Sequence, residues 1–257
     1  MREVDLNSAE NPEQALIKQM DSNTRLLTIS SIQYASGLKM DLAPLGHHCR
    51  ASETLFCVDA IQSLGAVPFD AQAIDADFVM ADGHKWMLGP EGLALFYCKQ
   101  EIQPQLKLNQ FGWHMVEHQG DYDRTDWSPA TNAQRFECGS PNMMGIHALS
   151  ASLSLLLEVG LAEVDALIQT KVDYLLEQLQ LIPGLSIHSP LERKSRSGII
   201  NFTINNVNHA LLHKQLVQSN IICAYRGGGI RFSPHFYTPD SALRSAIETL
   251  KLLIPST

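Results

Sequence analysis

The sequence predicts an α/β protein in which a partial, mainly parallel sheet occupies residues 1–145 and a smaller α+β region occupies 146–257. Two patterns carry this prediction. Short apolar runs alternate with helical segments through the first hundred residues, as parallel strands joined by crossovers require. Beyond an apolar stretch near 141–159, short strand-like runs are interspersed with segments whose apolar residues recur every three or four positions.

In order along the chain, a short helical piece precedes RLLTISSIQ (25–33), the first strand. DLAPLGHHCRASE (41–53) reads as a helix, and TLFCVDA (54–60) and ADFVMAD (76–82) read as strands. GLALFYC (92–98) follows too soon for a crossover helix, so it returns antiparallel or lies at a sheet edge. From Pro141 to Val159 the pattern is helical and apolar almost all round, through Met143, Met144, Ile146, Leu149, Leu153, Leu155, Leu156 and Leu157. Such a helix is expected to be buried on several sides, at a domain hinge or a subunit contact. The next helix carries Val164, Leu167, Ile168, Val172, Leu175 and Leu179 on one face. LSIHS, GIINFTI, IICAY and GIRFS supply the remaining strands, with helices near 208–218 and 239–253.

Composition narrows the class of function. A chain of 257 residues that is 45% hydrophobic and 18% charged can bury a sizeable core. Its net charge of −8 and lack of a basic stripe argue against a nucleic-acid partner. No apolar run is long enough to span a bilayer, which argues against a membrane role. Five scattered cysteines, Cys49, Cys57, Cys98, Cys138 and Cys223, form no CxxC pair and fit a reducing compartment. Residues 1–20 contain no apolar signal region, so a cytoplasmic location is expected. His47, His48 and Cys49 are adjacent on a helix and diverge, so no metal site is expected there.

The chemistry concentrates at strand ends. Lys85 lies between a strand and a glycine-rich turn in ADGHKWMLGPEGLALFY (81–97), where it is either an ordinary strand-exit lysine or a Schiff-base amine. Asp59 and Gln62 leave the strand in FCVDAIQSLG (56–65). Asp59 suits a helix N-cap or the pyridine nitrogen of pyridoxal 5′-phosphate, PLP; Gln62 suits solvent or the cofactor's phenolic oxygen. Ligands of open α/β sheets collect at the carboxyl ends of strands, where Asp59 and Lys85 both sit. His84 adds a neighbouring donor to Lys85. In CAYRGGGIRFSPHFY, Arg226 and Arg231 flank three glycines that form a turn, and a guanidinium there can grip a carboxylate with two parallel hydrogen bonds.

VDAIQSLGAVPFD, ADFVMADGHKWMLGPEGLALFY, RFECGSPN and RGGGIRFSPHFYT resemble the successive motifs of the class V aminotransferase family, from about Leu26 to the C-terminus. These are PLP enzymes of fold type I, among them cysteine desulfurases, kynureninase and isopenicillin N epimerase-like proteins. The resemblance implies that 1–145 is the C-terminal portion of a PLP-binding large domain and 146–257 a small C-terminal domain. It implies that Lys85 is the Schiff-base lysine, Asp59 the partner of the pyridine nitrogen and Gln62 the contact to the phenolic oxygen. His84 matches a phosphate-contacting histidine and Gln33 a cofactor-facing amide. Ser140 matches a residue reaching the neighbouring subunit's phosphate, which implies a homodimer. Arg231 matches the arginine that binds the substrate carboxylate, with Arg226 beside it.

Three departures accompany the resemblance. Asp82 stands where family members often have a phosphate-binding serine. The loop on which desulfurases carry their nucleophilic cysteine is only Gly227 to Ile230 here, with Cys223 before it. A leading block that cradles the phosphate and stacks on the ring has no counterpart in the chain. The function implied is that of an aminotransferase-like enzyme acting on a small amino acid or keto acid through Lys85. The alternative is a truncated, catalytically incompetent relative; desulfurase and kynureninase-like lyase chemistry rank lower.

Overall fold

The computed structural model describes residues 1–6 and 9–254. These residues group into two compact units, one of 1–29, 42–61 and 70–154, the other of 30–41, 62–69 and the chain from 155 onward.

The first unit is built on a four-stranded sheet of order β1-β2-β3-β4, with β1 at Leu26–Ser30, β2 at Leu55–Asp59, β3 at Phe78–Asp82 and β4 at Ala94–Cys98. Strands β2 and β3 run parallel with Asp59 opposite Met80, and β4 returns antiparallel with Ala94 opposite Asp82. The short connection from 83 to 93 leaves no room for a crossover, as its length requires. On one face of the sheet the inner strands bury Phe56, Val58, Val79 and Ala81. Leu55, Cys57, Phe78 and Met80 on the other face are only half-buried, and Ala94, Leu95 and Phe96 of the edge strand are exposed. Parallel strands ordinarily have both faces covered, so this sheet is open on one side within the single chain.

Helices α1 (Pro12–Gln19) and α2 (Leu42–Ala51) pack together in this unit. Asn11 caps α1 by accepting from the Gln14 N–H at 2.9 Å, and Pro12 occupies the first turn, where its missing N–H costs nothing. A Cβ at Gly46 of α2 would lie 1.8 Å from the Ile74 carbonyl oxygen, so the helix meets the 70–77 segment in backbone contact. Next to it His47 turns to Asp75 at 3.7 Å while Cys49 is buried, since residues two apart on a helix do not share a face.

The second unit holds an antiparallel sheet of order β5-β6-β8-β7, formed by Leu185–Ile187, Ile200–Ile204, Gly229–Phe232 and Ala224–Arg226 respectively. Helices α4 (Leu161–Gln180), α5 (His209–Gln218) and α6 (Asp240–Leu253) complete it, with α6 packed on both α4 and α5. The expected apolar face of α4 is buried at Val164, Ile168, Val172, Leu175 and Leu179. Buried Arg196 is held on the same helix by the Gln169 side-chain oxygen at 2.8 Å and by Asp173. The segments 30–41 and 62–69 belong here through specific bonds. The Lys39 N–H donates to the Ser195 carbonyl at 2.8 Å, and the Ser31 and Ser63 hydroxyls meet at 2.6 Å.

Two expectations are corrected. Helix α3 (Met143–Val159) forms, but Met143, Met144, Ile146, Leu155 and Leu157 are exposed, and only Leu149 and Leu156 among its large side chains are buried. An apolar circumference signals surface in need of a partner, and the single chain supplies one for a narrow stripe only. In IICAY, only Ala224 and Tyr225 enter β7; Ile222 is almost wholly exposed and Cys223 precedes the strand.

Candidate active site

At the carboxyl end of β2, the Asp59 carboxylate accepts from the Ile61 N–H at 2.9 Å, and residues 61–66 form turns. Asp59 therefore closes a local Asx turn; the helix N-cap alternative falls away because no helix follows. Parallel pairing brings Asp59 and the end of β3 out of the sheet on the same side, since Asp59 lies opposite Met80 and the chain reaches Lys85 five residues later. Lys85 is half-buried on a turn pinned at its base, where the Gly89 N–H donates to the Gly83 carbonyl and the Gly83 N–H to Leu93, both at 2.8 Å. Leu149 of α3 closes on this base: a Cβ at Gly89 would come within 2.6 Å of it.

His84 and Asp82 form a pair beside the lysine, with Nδ1 2.9 Å from Oδ1. His84, this close to it, holds the Asp82 carboxyl below the ordinary carboxylate range. The histidine is thus engaged with a carboxylate on the ring edge that carries Nδ1. Ser140 lies exposed on the loop before α3. The D-x-H spacing around Gly83 is the only trace of this pairing in the sequence.

The other site candidates belong to the second unit. Gln62, three residues after Asp59, is buried. The Gln33 side-chain oxygen accepts from the Ala35 and Ser36 N–H groups, each at 2.6 Å, so it closes a turn and leaves its NH2 as the available donor. Arg231 reaches this same loop and donates from Nη1 to the Tyr34 carbonyl at 2.7 Å. Its Nε is enclosed and has no hydrogen-bond partner. Burial first, then the Arg226 charge, lowers the pKa of the Arg231 guanidinium from its ordinary value. Arg226 donates to its neighbour's carbonyl, Tyr225, at 2.9 Å, and its own carbonyl accepts from buried Asn201 at 2.8 Å. Tyr34 and Asn201 were not singled out from the sequence, because a backbone acceptor and a buried amide leave no motif.

The donor chemistry suits one end of PLP better than the other. Asp59 offers a carboxylate for a protonated ring nitrogen, Gln62 an amide and Lys85 an amine, the three groups that the heterocycle and its aldehyde need. For the phosphate there are His84 and Ser140, and Asp82 sets a negative charge against the dianion. The cysteines offer no activated thiol at the arginine loop. Burial pushes the Cys223 thiol up to about 11, and the loop itself is Gly227 and Gly228.

Comparison with known proteins gives the family and the fold. A profile of the aminotransferase class-V family matches residues 2–234. A probable cysteine desulfurase of Methanothermobacter thermautotrophicus is 28% identical over 249 residues, covering 90% of this chain and 61% of that protein. The chain thus spans about 60% of the length of that curated relative. The apo cysteine desulfurase of Thermococcus onnurineus has the same fold, with a TM-score of 0.87 at 20% identity over 98% of this chain and 65% of its own. A C-DES variant solved with glycine covalently linked to its PLP cofactor gives a TM-score of 0.85 at 22% identity, over 95% of this chain and 64% of its own.

Proposed function

The chain belongs to the aminotransferase class-V family, and on that premise we propose that it carries the lysine-bearing portion of a PLP-dependent enzyme that transfers the amino group of a small amino acid to a keto acid. One observation carries this reading: Asp59 and the Lys85 turn leave two paired parallel strands at the same end. When bound, PLP supplies an aldehyde for the amine and an electron sink for the substrate carbanion. Lys85 would provide the amine that holds the cofactor and a base for the substrate α-proton. Asp59 keeps the ring nitrogen protonated. Gln62 would donate to the phenolic oxygen, His84 and Ser140 would serve the phosphate, and Gln33 would offer its NH2 to the cofactor. Arg231 holds the substrate carboxylate.

Cysteine-directed chemistry is the second reading, supported by the names of the relatives. Against it stand the raised Cys223 thiol and a two-glycine loop with no nucleophile. A homodimer is part of the proposal, supported by the exposed apolar side chains of α3.

Titration of the purified chain with PLP tests the reading. A visible Schiff-base absorbance band that Lys85→Ala abolishes is the expected result. No band in the wild-type chain would overturn it and leave a catalytically incompetent relative.

A further inference from the structure

Strands β7 and β8 form a hairpin closed by Gly227 and Gly228, both at positive φ, 55° and 78°, as a two-residue turn that matches strand twist demands. Arg226 pairs with Gly229 and Ala224 with Arg231. Paired residues share a face and alternate residues return to it, so Arg226 and Arg231 project from the same face. They are diagonal cross-strand neighbours, roughly 7 Å apart at Cα. Like charges in that relation repel, and among the described residues neither guanidinium has a carboxylate in ion-pair distance. Arg231 gives one donor to Tyr34 and keeps Nε enclosed and unpaired, while Arg226 is exposed and gives one donor to the Tyr225 carbonyl. The site is held rigid from behind: the Asn201 amide ties down the Arg226 carbonyl, and a Cβ at Gly229 would strike the Phe202 carbonyl at 2.5 Å.

One substrate carboxylate is matched by one guanidinium fork. A second unpaired arginine beside it adds only repulsion unless a second anion arrives. We propose that the β7–β8 hairpin selects substrates with two anionic groups, Arg231 holding the α-carboxylate and Arg226 a carboxylate at the far end of the side chain, so that the amino acid or keto acid is dicarboxylic. This rests on the PLP-dependent reading for its chemistry, while the anion pair itself is a property of the hairpin.

The test is calorimetric titration of the full chain, with PLP added, by 2-oxoglutarate and by 2-oxobutyrate, which share the keto-acid end and differ in the terminal carboxylate. The dicarboxylate should bind about tenfold more tightly, as one charge-assisted hydrogen-bonded contact provides. Arg226→Gln should remove that preference and leave 2-oxobutyrate unchanged, and Arg226→Lys should restore part of it. Arg231→Gln should weaken both ligands. Equal binding of the two acids, or an equal loss of both in Arg226→Gln, overturns the proposal. So does inorganic phosphate binding as tightly as 2-oxoglutarate with the same dependence on Arg226. A missing Schiff-base band with the preference intact overturns the cofactor reading alone.

Discussion

His84 Nδ1 lies 2.9 Å from Asp82 Oδ1 across the single residue Gly83, one position before Lys85. Because the histidine holds the Asp82 carboxyl below its ordinary range, the pair is fully formed above the unfolded carboxylate pKa of about 3.9 and is lost as pH falls through the lowered folded value. It is therefore intact at neutral pH, when an incoming phosphate would meet an ionised carboxylate.

Replacing that carboxylate should help the cofactor. Asp82→Ser removes the repulsion and frees His84, and PLP affinity measured by absorbance titration should rise about tenfold, the worth of one charged contact. Unchanged or weaker binding would show that Asp82 faces away from the phosphate.

The Cys223 thiol, pushed up to about 11 by burial, is ionised in about one molecule in a thousand at pH 8. Alkylation at that pH should be slow and should accelerate steadily as pH is raised to 10. If cysteine yields sulfide with this protein, Cys223→Ser should leave the rate unchanged; a loss of more than tenfold would restore the desulfurase reading.

Gly46 reverses an ordinary rule. In an exposed helix Gly→Ala stabilises by about 1 kcal/mol. Here the new Cβ would lie 1.8 Å from the Ile74 carbonyl, so backbone must move. Gly46→Ala should cost about 3 kcal/mol, read as a lowered urea midpoint at constant slope.

The exposed side chains of α3 should drive self-association. Sedimentation of the 28.5 kDa chain should show a dimer. Met144→Glu combined with Leu157→Glu should give a monomer with unchanged far-ultraviolet circular dichroism, because both side chains are exposed. A wild-type monomer at micromolar concentration would remove the dimer from the proposal.

Local pattern reveals elements whose physics is local. The strands around Phe56–Asp59 and Phe78–Asp82, the antiparallel return at Ala94–Cys98 and the buried face of α4 are legible because side-chain period, turn length and apolar spacing act within a few residues. The positions of Lys85 and Asp59 are legible for the same reason, since Asp59 ends one recognisable strand and Lys85 follows the end of another.

What joins distant segments is decided only on folding. Arg231 finds its acceptor at Tyr34, 197 residues earlier, and 30–41 and 62–69 join the second unit through bonds to Ser195 and between Ser31 and Ser63. The sequence by itself determined an α/β chain of the class-V family with a lysine and an acid at neighbouring strand ends. Tertiary structure alone decided that Asp82 engages His84, that two arginines share one hairpin face and that α3 stays largely uncovered. Hydrogen-bond partners and burial depend on which surfaces meet, and an apolar or charged residue states the need for a partner without stating where it lies.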